Sequence, residues 1–243
     1  MRSTKLPPGG RLFCFPYAGG GASIYRSWQA QIGPSIRIHP IRLAGRDDRI
    51  SEPPAITVNE LVEASVRQIL PLTDVPFSLF GYSFGALLAF ETARRLRRRG
   101  IIPDRLIVAA LKAPHLPLAR KPIHQLPDSQ LADSIRGFCG TPAAVLENSE
   151  LMNLLLPTIR ADFTAYETYR YQPEEPIDCP ISAMGGASDR SVSREELAAW
   201  GEHTSAAFTS HVFPGGHFFL NTAGQLLTWT IMQALLPSLR AAS

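Results

Sequence analysis

Pro76-Phe77-Ser78-Leu79-Phe80 runs straight into Gly81-Tyr82-Ser83-Phe84-Gly85, and helix-forming residues follow over 86–99. The first five residues read as a buried strand, short and apolar, and the last stretch as a helix. A serine between them, with glycine two residues to either side, predicts a tight strand-to-helix turn that presents the hydroxyl above the sheet. The glycines have a steric reason. Strand and helix approach closely around so sharp a turn, and a β-carbon at either flank would collide with neighbouring backbone.

Outward from this turn, strand-like and helical stretches alternate. Residues 11–16 predict a first strand, closed by Pro16 and the glycine-rich Tyr17-Ala18-Gly19-Gly20-Gly21. Residues 22–32 predict a helix, 36–43 a second strand, and Ala44-Gly45-Arg46-Asp47-Asp48-Arg49 a charged loop. Helical apolar spacing recurs over 58–70, with Thr57 as the cap. Further strands fall at 105–111, 181–185 and 208–213, and a helix over 222–239 closes the chain. This alternation predicts an α/β fold, with a mostly parallel central sheet and helices on both faces. Between 116 and 171 the alternation stops. Two helical stretches, 130–138 and 151–171, follow one another with no strand between them. Pro157 predicts a kink or a start within the second. A helical insertion after a central strand is how this kind of fold builds a lid, although two helical hairpins packed elsewhere would read the same.

Bulk properties narrow the class. At 243 residues one domain accounts for the whole chain (1–243), able to bury about 70–75% of its unfolded surface without a disulfide or metal staple. Cys14, Cys139 and Cys179 are odd in number, far apart and match no metal spacing, as expected of free thiols in a reducing cytosol. No apolar stretch reaches the roughly 18–20 residues of a membrane span. The basic start, Met1-Arg2-Ser3-Thr4-Lys5-Leu6-Pro7-Pro8, lacks the apolar core of a signal peptide. A soluble, cytoplasmic protein with no membrane partner is expected. The net charge of +3 is too small to imply nucleic acid. One basic run stands out: Arg94, Arg95, Arg97, Arg98 and Arg99, before Gly100. It reads as a solvated helix end that meets the negative end of the helix dipole, or as a docking surface for an acidic partner.

A serine hydroxyl attacks only when a base takes its proton, and the base must itself be oriented by an acid. On the α/β-hydrolase fold these come in the order serine, acid, histidine. Of six histidines, His39 and His211 lie within strands, His115 and His124 precede the insertion, and His203 lies in a polar helical stretch. His217 alone follows a strand and a turn, Pro214-Gly215-Gly216, at the sheet edge that carries reacting groups. The acid belongs after the preceding strand, where Gly186-Ala187-Ser188-Asp189-Arg190 offers Asp189. Asp178 and Asp104 precede their strands and would sit at the opposite edge. The oxyanion needs two backbone N–H donors. Phe84, after the nucleophile, supplies one, and Ala18 in the loop after the first strand the other. That loop lacks both Gly-x-Gly-x-x-Gly and a following Gly-Lys-Ser/Thr, which weighs against a phosphate cradle. Neither a metal nor a cofactor is expected.

Over nearly its whole length the chain resembles the type II thioesterases that accompany polyketide and nonribosomal peptide synthases. The resemblance rests on Phe15-Pro16-Tyr17-Ala18-Gly19-Gly20, Gly45-Arg46-Asp47-Asp48-Arg49, Gly81-Tyr82-Ser83-Phe84-Gly85-Ala86, Leu156-Pro157-Thr158-Ile159-Arg160-Ala161-Asp162-Phe163, Glu167-Thr168-Tyr169-Arg170-Tyr171 and Gly215-Gly216-His217-Phe218-Phe219-Leu220. It implies an α/β-hydrolase fold with a helical lid at 116–171. It also implies a Ser83, Asp189 and His217 triad with an oxyanion hole at Ala18 and Phe84. The implied substrate is an acyl thioester on the phosphopantetheine arm of a carrier protein, cleared when stalled or wrongly loaded. Carrier proteins are commonly acidic, which gives the arginine run a partner to expect. Where the family often has Ser-Gly after the central strand, this chain has Ala110-Leu111, near the expected acyl pocket. An acyl-CoA thioesterase or carboxylesterase would share the scaffold, and a non-catalytic carrier-binding protein would share the fold.

Overall fold

The computed structural model describes residues 9–118, 121–136 and 149–241. Among these residues six strands form one sheet: β1 (Gly10–Phe15), β2 (Ile36–Pro40), β3 (Phe77–Tyr82), β4 (Arg105–Ala109), β5 (Ile181–Gly186) and β6 (Phe208–Phe213). Their order is β2-β1-β3-β4-β5-β6 and every pairing is parallel. The helices are α1 (Trp28–Ile32), α2 (Val58–Ile69), α3 (Phe84–Arg97), α4 (Asp128–Arg136), α5 (Ser149–Thr168), α6 (Arg194–Ala198), α7 (Phe219–Thr222) and α8 (Gly224–Ala241). Among the described residues no helix is long and apolar enough to cross a membrane.

A sheet covered on both faces needs apolar residues at every strand position, and the two sets alternate. Phe13, Phe15, Phe77, Leu79, Leu106 and Val108 face one side, with Leu61, Val66 and Phe90 of α2 and α3. Leu12, Cys14, Phe80, Tyr82, Ile107 and Ala109 face the other, with Trp28, Leu227 and Ile231 of α1 and α8. A third cluster, Leu131, Ile135, Met152, Leu156 and Ile159, joins α4 to α5 outside the sheet. β3 is buried at all six positions, which is why its apolar run was legible. The expected cap of α2 is a full capping box: the Glu60 amide donates to the Thr57 hydroxyl, and the Thr57 amide to the Glu60 carboxylate.

Boundaries moved where tertiary contacts intervene. The helix expected over 22–32 is a 3₁₀ turn (Ala22–Tyr25) followed by α1. The Tyr25 hydroxyl donates to Phe15 O at 2.6 Å and Ser23 is held by Asp47 at 2.7 Å, so the first turn is drawn under the sheet. The fourth strand stops at Ala109 because Ala110 takes a φ of 55°. α5 passes through Pro157, which neither starts it nor ends it. It ends at Thr168, short of the expected 171, and the end of the stretch expected over 130–138 lies outside the described residues.

The arginine run explains that early end. Arg94 is buried, its guanidinium 5.4 Å from the ring centres of both Phe90 and Tyr171, and it donates to Gln172 O at 2.5 Å. Arg97 donates to Glu175 O and Pro176 O at 2.8 and 2.7 Å. Glu174 meets Arg94 at 2.8 Å and Arg97 at 3.3 Å and pairs with Arg98 as well, while Glu63 takes Arg95 and Arg99. The run is neither a merely solvated helix end nor a free basic surface. Arg94, Arg97 and Arg98 clasp the extended segment after α5 to α3, and Arg95 and Arg99 tie the end of α3 to α2.

Candidate active site

Ser83 stands between β3 and α3 with φ 51° and ψ −123°, a left-handed conformation costly for a residue with a β-carbon. Its amide donates to Ala109 O at 2.7 Å and its carbonyl accepts from the Ala86 amide at 2.8 Å. The flanking glycines behave as their spacing predicts. A β-carbon on Gly81 would lie 2.5 Å from Ala86 Cα, and one on Gly85 2.5 Å from Pro16 O. The second contact is informative, because it presses the end of β1, and the loop carrying Ala18, against the turn carrying Ser83 and Phe84.

His217 and Asp189 come from the loops after β6 and β5. Ala187 donates to Phe213 O at 2.8 Å and Ser188 to Gly215 O at 2.9 Å, so the two loops are tied to each other by backbone. His217 Nε2 lies 3.0 Å from Ser83 Oγ, and Nδ1 lies 2.8 Å from Asp189 Oδ2. The Asp189 side chain is 1% exposed and the imidazole 17%. Burial pushes the Asp189 carboxyl up, but hydrogen bonds from His217 and Ser191 outweigh it and hold the group below the usual aspartate value. With the imidazole proton on Nδ1, facing this carboxylate, Nε2 is left to accept from the serine.

The structure thus brings Ser83, Asp189 and His217 into one hydrogen-bonded row, with Ala18 and Phe84 beside it in the wall of the same cavity. Phe84 opens α3, so its amide sits at the positive end of that helix. The rival carboxylates are elsewhere: the Asp104 amide pairs with Phe77 O at the amino end of β3, and Asp178 precedes β5. His124 is held by Glu167 and His203 by His115, at 2.6 and 2.7 Å.

The cavity holds about 610 Å³ and is largely apolar, with Leu111, Leu155, Ile159, Phe163 and Tyr166 in its wall. Ala110 and Leu111 lie in that wall, where the sequence anticipated the pocket. α5 supplies much of one side and the β1 loop the other.

Four residues with a hand in this geometry escaped the sequence reading. The Ser191 hydroxyl donates to Asp189 Oδ1 at 2.6 Å and stands 3.0 Å from His217 Nδ1, bridging acid and imidazole. The Tyr82 hydroxyl donates to His217 O at 2.6 Å and accepts from the Leu220 amide at 3.2 Å, fixing the histidine loop from below. Arg46 and Asp162 form a buried bidentate pair, both contacts 2.8 Å, with side chains 3% and 0% exposed. Asp162 Oδ2 also accepts the Gly19 amide at 2.7 Å, and Arg46 donates to Gly20 O at 3.1 Å. This pair bolts the Ala18 loop to α5. Arg46 and Asp162 stand in segments quoted for the family resemblance, but no local signal joins charges 116 positions apart.

The sequence profile of the thioesterase domain family matches residues 10–233. The gramicidin S biosynthesis protein GrsT of Aneurinibacillus migulanus is 42% identical over 211 residues, covering 86% of this chain and 82% of its own. RedJ, a thioesterase from the prodiginine pathway of Streptomyces coelicolor, superposes with a TM-score of 0.87 at 38% identity, covering 94% of this chain and 87% of its own. The type II thioesterase BorB from the borrelidin cluster superposes with a TM-score of 0.88 at 37% identity, covering 95% and 94%.

Proposed function

The chain belongs to the thioesterase domain family, and from that premise we propose that it works as a type II thioesterase. It hydrolyses acyl thioesters on the phosphopantetheine arm of carrier protein domains, clearing stalled or aberrant acyl groups from a polyketide or nonribosomal peptide synthase. The observation that carries this reading is the 3.0 Å approach of His217 Nε2 to Ser83 Oγ at the wall of a 610 Å³ apolar cavity. The carrier protein as partner, and the cytosol as location, follow from that substrate.

The chemistry runs in two halves. Ser83 Oγ attacks the thioester carbonyl while His217 Nε2 takes its proton, and Asp189 stabilises the imidazolium that forms. The amides of Ala18 and Phe84 receive the developing oxyanion, the larger share of the catalysis in such sites. The tetrahedral intermediate collapses, the C–S bond breaks, and the leaving pantetheine sulfur takes the proton from His217, which is left neutral to act as base again. Water then attacks the acyl-serine, giving its proton to His217, and the free acid departs as Ser83 Oγ recovers a proton. α4 and α5, within the 116–171 insertion, act as the lid that walls the acyl chain away from water.

Rates on an acyl carrier protein, an acyl-CoA and a nitrophenyl ester, with wild type and Ser83→Ala, test this. Preference for the carrier thioester, abolished by Ser83→Ala, is expected. A strong preference for oxygen esters would make it a carboxylesterase, and preference for acyl-CoA a thioesterase of free acyl groups. Carrier binding without turnover, and without labelling of Ser83 by a fluorophosphonate, would make it a binding protein.

A further inference from the structure

Among the described residues three cations stand in the cavity wall, and two are already engaged. Arg46 is held by Asp162. Lys112 donates to Pro117 O and lies 3.8 Å from Glu196. The third, Arg190, is exposed, and among the described residues its guanidinium makes neither an ion pair nor a hydrogen bond. It follows Asp189 directly, on the loop that the backbone ties to the histidine loop. An exposed, unengaged arginine therefore lines the same cavity as Ser83.

A thioester on a phosphopantetheine arm has the matching layout. Its acyl group is apolar, its reacting carbonyl comes next, and a phosphate closes the far end. Resting on the thioesterase reading, we propose that Arg190 binds the phosphate of the 4′-phosphopantetheine arm as the thioester reaches Ser83. A guanidinium suits this because its planar fork matches phosphate oxygens in pairs. No existing ion pair must break to free it. The arginines of 94–99 lack that freedom, since Glu63, Glu91 and Glu174 take them up. The loop matters as much as the charge. Asp189 is fixed by His217 and Ser191, so the backbone that carries Arg190 keeps a set position relative to the reacting serine. The rim carboxylate that would repel a phosphate, Asp47, is itself engaged by the Ser23 hydroxyl and amide at 2.7 and 3.4 Å.

The test compares one acyl group on two small thioesters, acyl-phosphopantetheine and acyl-pantetheine, which differ only in the phosphate. Wild type should favour the phosphorylated substrate in kcat/KM by about threefold to tenfold, through KM, and the preference should shrink with added salt. In Arg190→Ala the ratio should fall to about one, and Arg190→Lys should keep part of it. The same loss should appear with the acyl carrier protein, which separates the carrier's phosphate from that of free coenzyme. A wild-type ratio near one, or a ratio unaltered in Arg190→Ala, overturns the inference and leaves the thioesterase reading standing. Failure to hydrolyse either thioester overturns both.

Discussion

Asp162→Asn removes the charge that holds Arg46 and the β1 loop together, and its cost can be worked from the geometry. The carboxylate accepts three donors: both Arg46 nitrogens at 2.8 Å and the Gly19 amide at 2.7 Å. An asparagine presents one oxygen and one NH₂, so at least one of the three donors faces an NH₂ in place of an acceptor. Because both side chains are buried, breaking the pair from one side should cost about 3–5 kcal/mol. A chain of 243 residues unfolds with an entropy of roughly 0.5 kcal/mol/K, so Tm should fall by about 6–10 °C. Activity should fall as well. With Gly19 released, the Ala18 amide next to it drifts, and a misplacement of about 1 Å can cost on the order of 10²-fold in rate. Thermal unfolding gives the first number, and kcat on a small acyl thioester, measured well below the variant's Tm, gives the second. Arg46→Met with Asp162→Leu should recover most of the stability, since an apolar pair can replace a buried ionic one, but not the rate. A Tm change under about 2 °C together with an unaltered kcat would show that the pair neither stabilises the fold nor positions the Ala18 loop.

Gly85→Ala puts a β-carbon 2.5 Å from Pro16 O, which must push the Ala18 loop away from Ser83; kcat should drop on the order of 10²-fold, and a rate within threefold of wild type would contradict it. Ser191→Ala removes the bridge between Asp189 and His217, so kcat should fall by about tenfold with KM unchanged, and a KM effect alone would count against a positioning role. His203 bears on stability. Burial, then His115 and Arg94, lower its pKa to about 4, while an unfolded histidine titrates near 6.5. Between those values the unfolded chain binds a proton that the native chain refuses, so stability should fall as pH drops from about 6.5 to about 4 and then level. His203→Asn should flatten the dependence of Tm on pH over that window; an unaltered slope would assign the effect elsewhere.

Much of this was legible in the sequence for a local reason. The four central strands, β1, β3, β4 and β5, were marked by apolar runs, because a parallel sheet covered on both faces requires them. Ser83, Asp189 and His217 were found because each follows a strand that ends in a turn, so the edge of the sheet they share could be read from chain order. Tyr25, by contrast, bends its helix only because Phe15 O lies within reach. Arg94 and Arg97 looked like a helix terminus because nothing nearby announces that residues 172–176 return to them. The Arg46–Asp162 bolt is of the same kind. Its charges are far apart in the chain, and burial, the property that makes the pair matter, exists only once the chain has folded.

Transfer of the acyl group to Ser83 is the step on which the proposed hydrolysis depends. Mixing the protein with an acyl carrier protein, quenching in acid at millisecond intervals and weighing the peptide that contains Ser83 tests it most directly. An acyl mass on that peptide should rise before free acid appears and should be absent from Ser83→Ala. Deacylation of the carrier by Ser83→Ala at the wild-type rate would show that the acyl group does not pass through this serine.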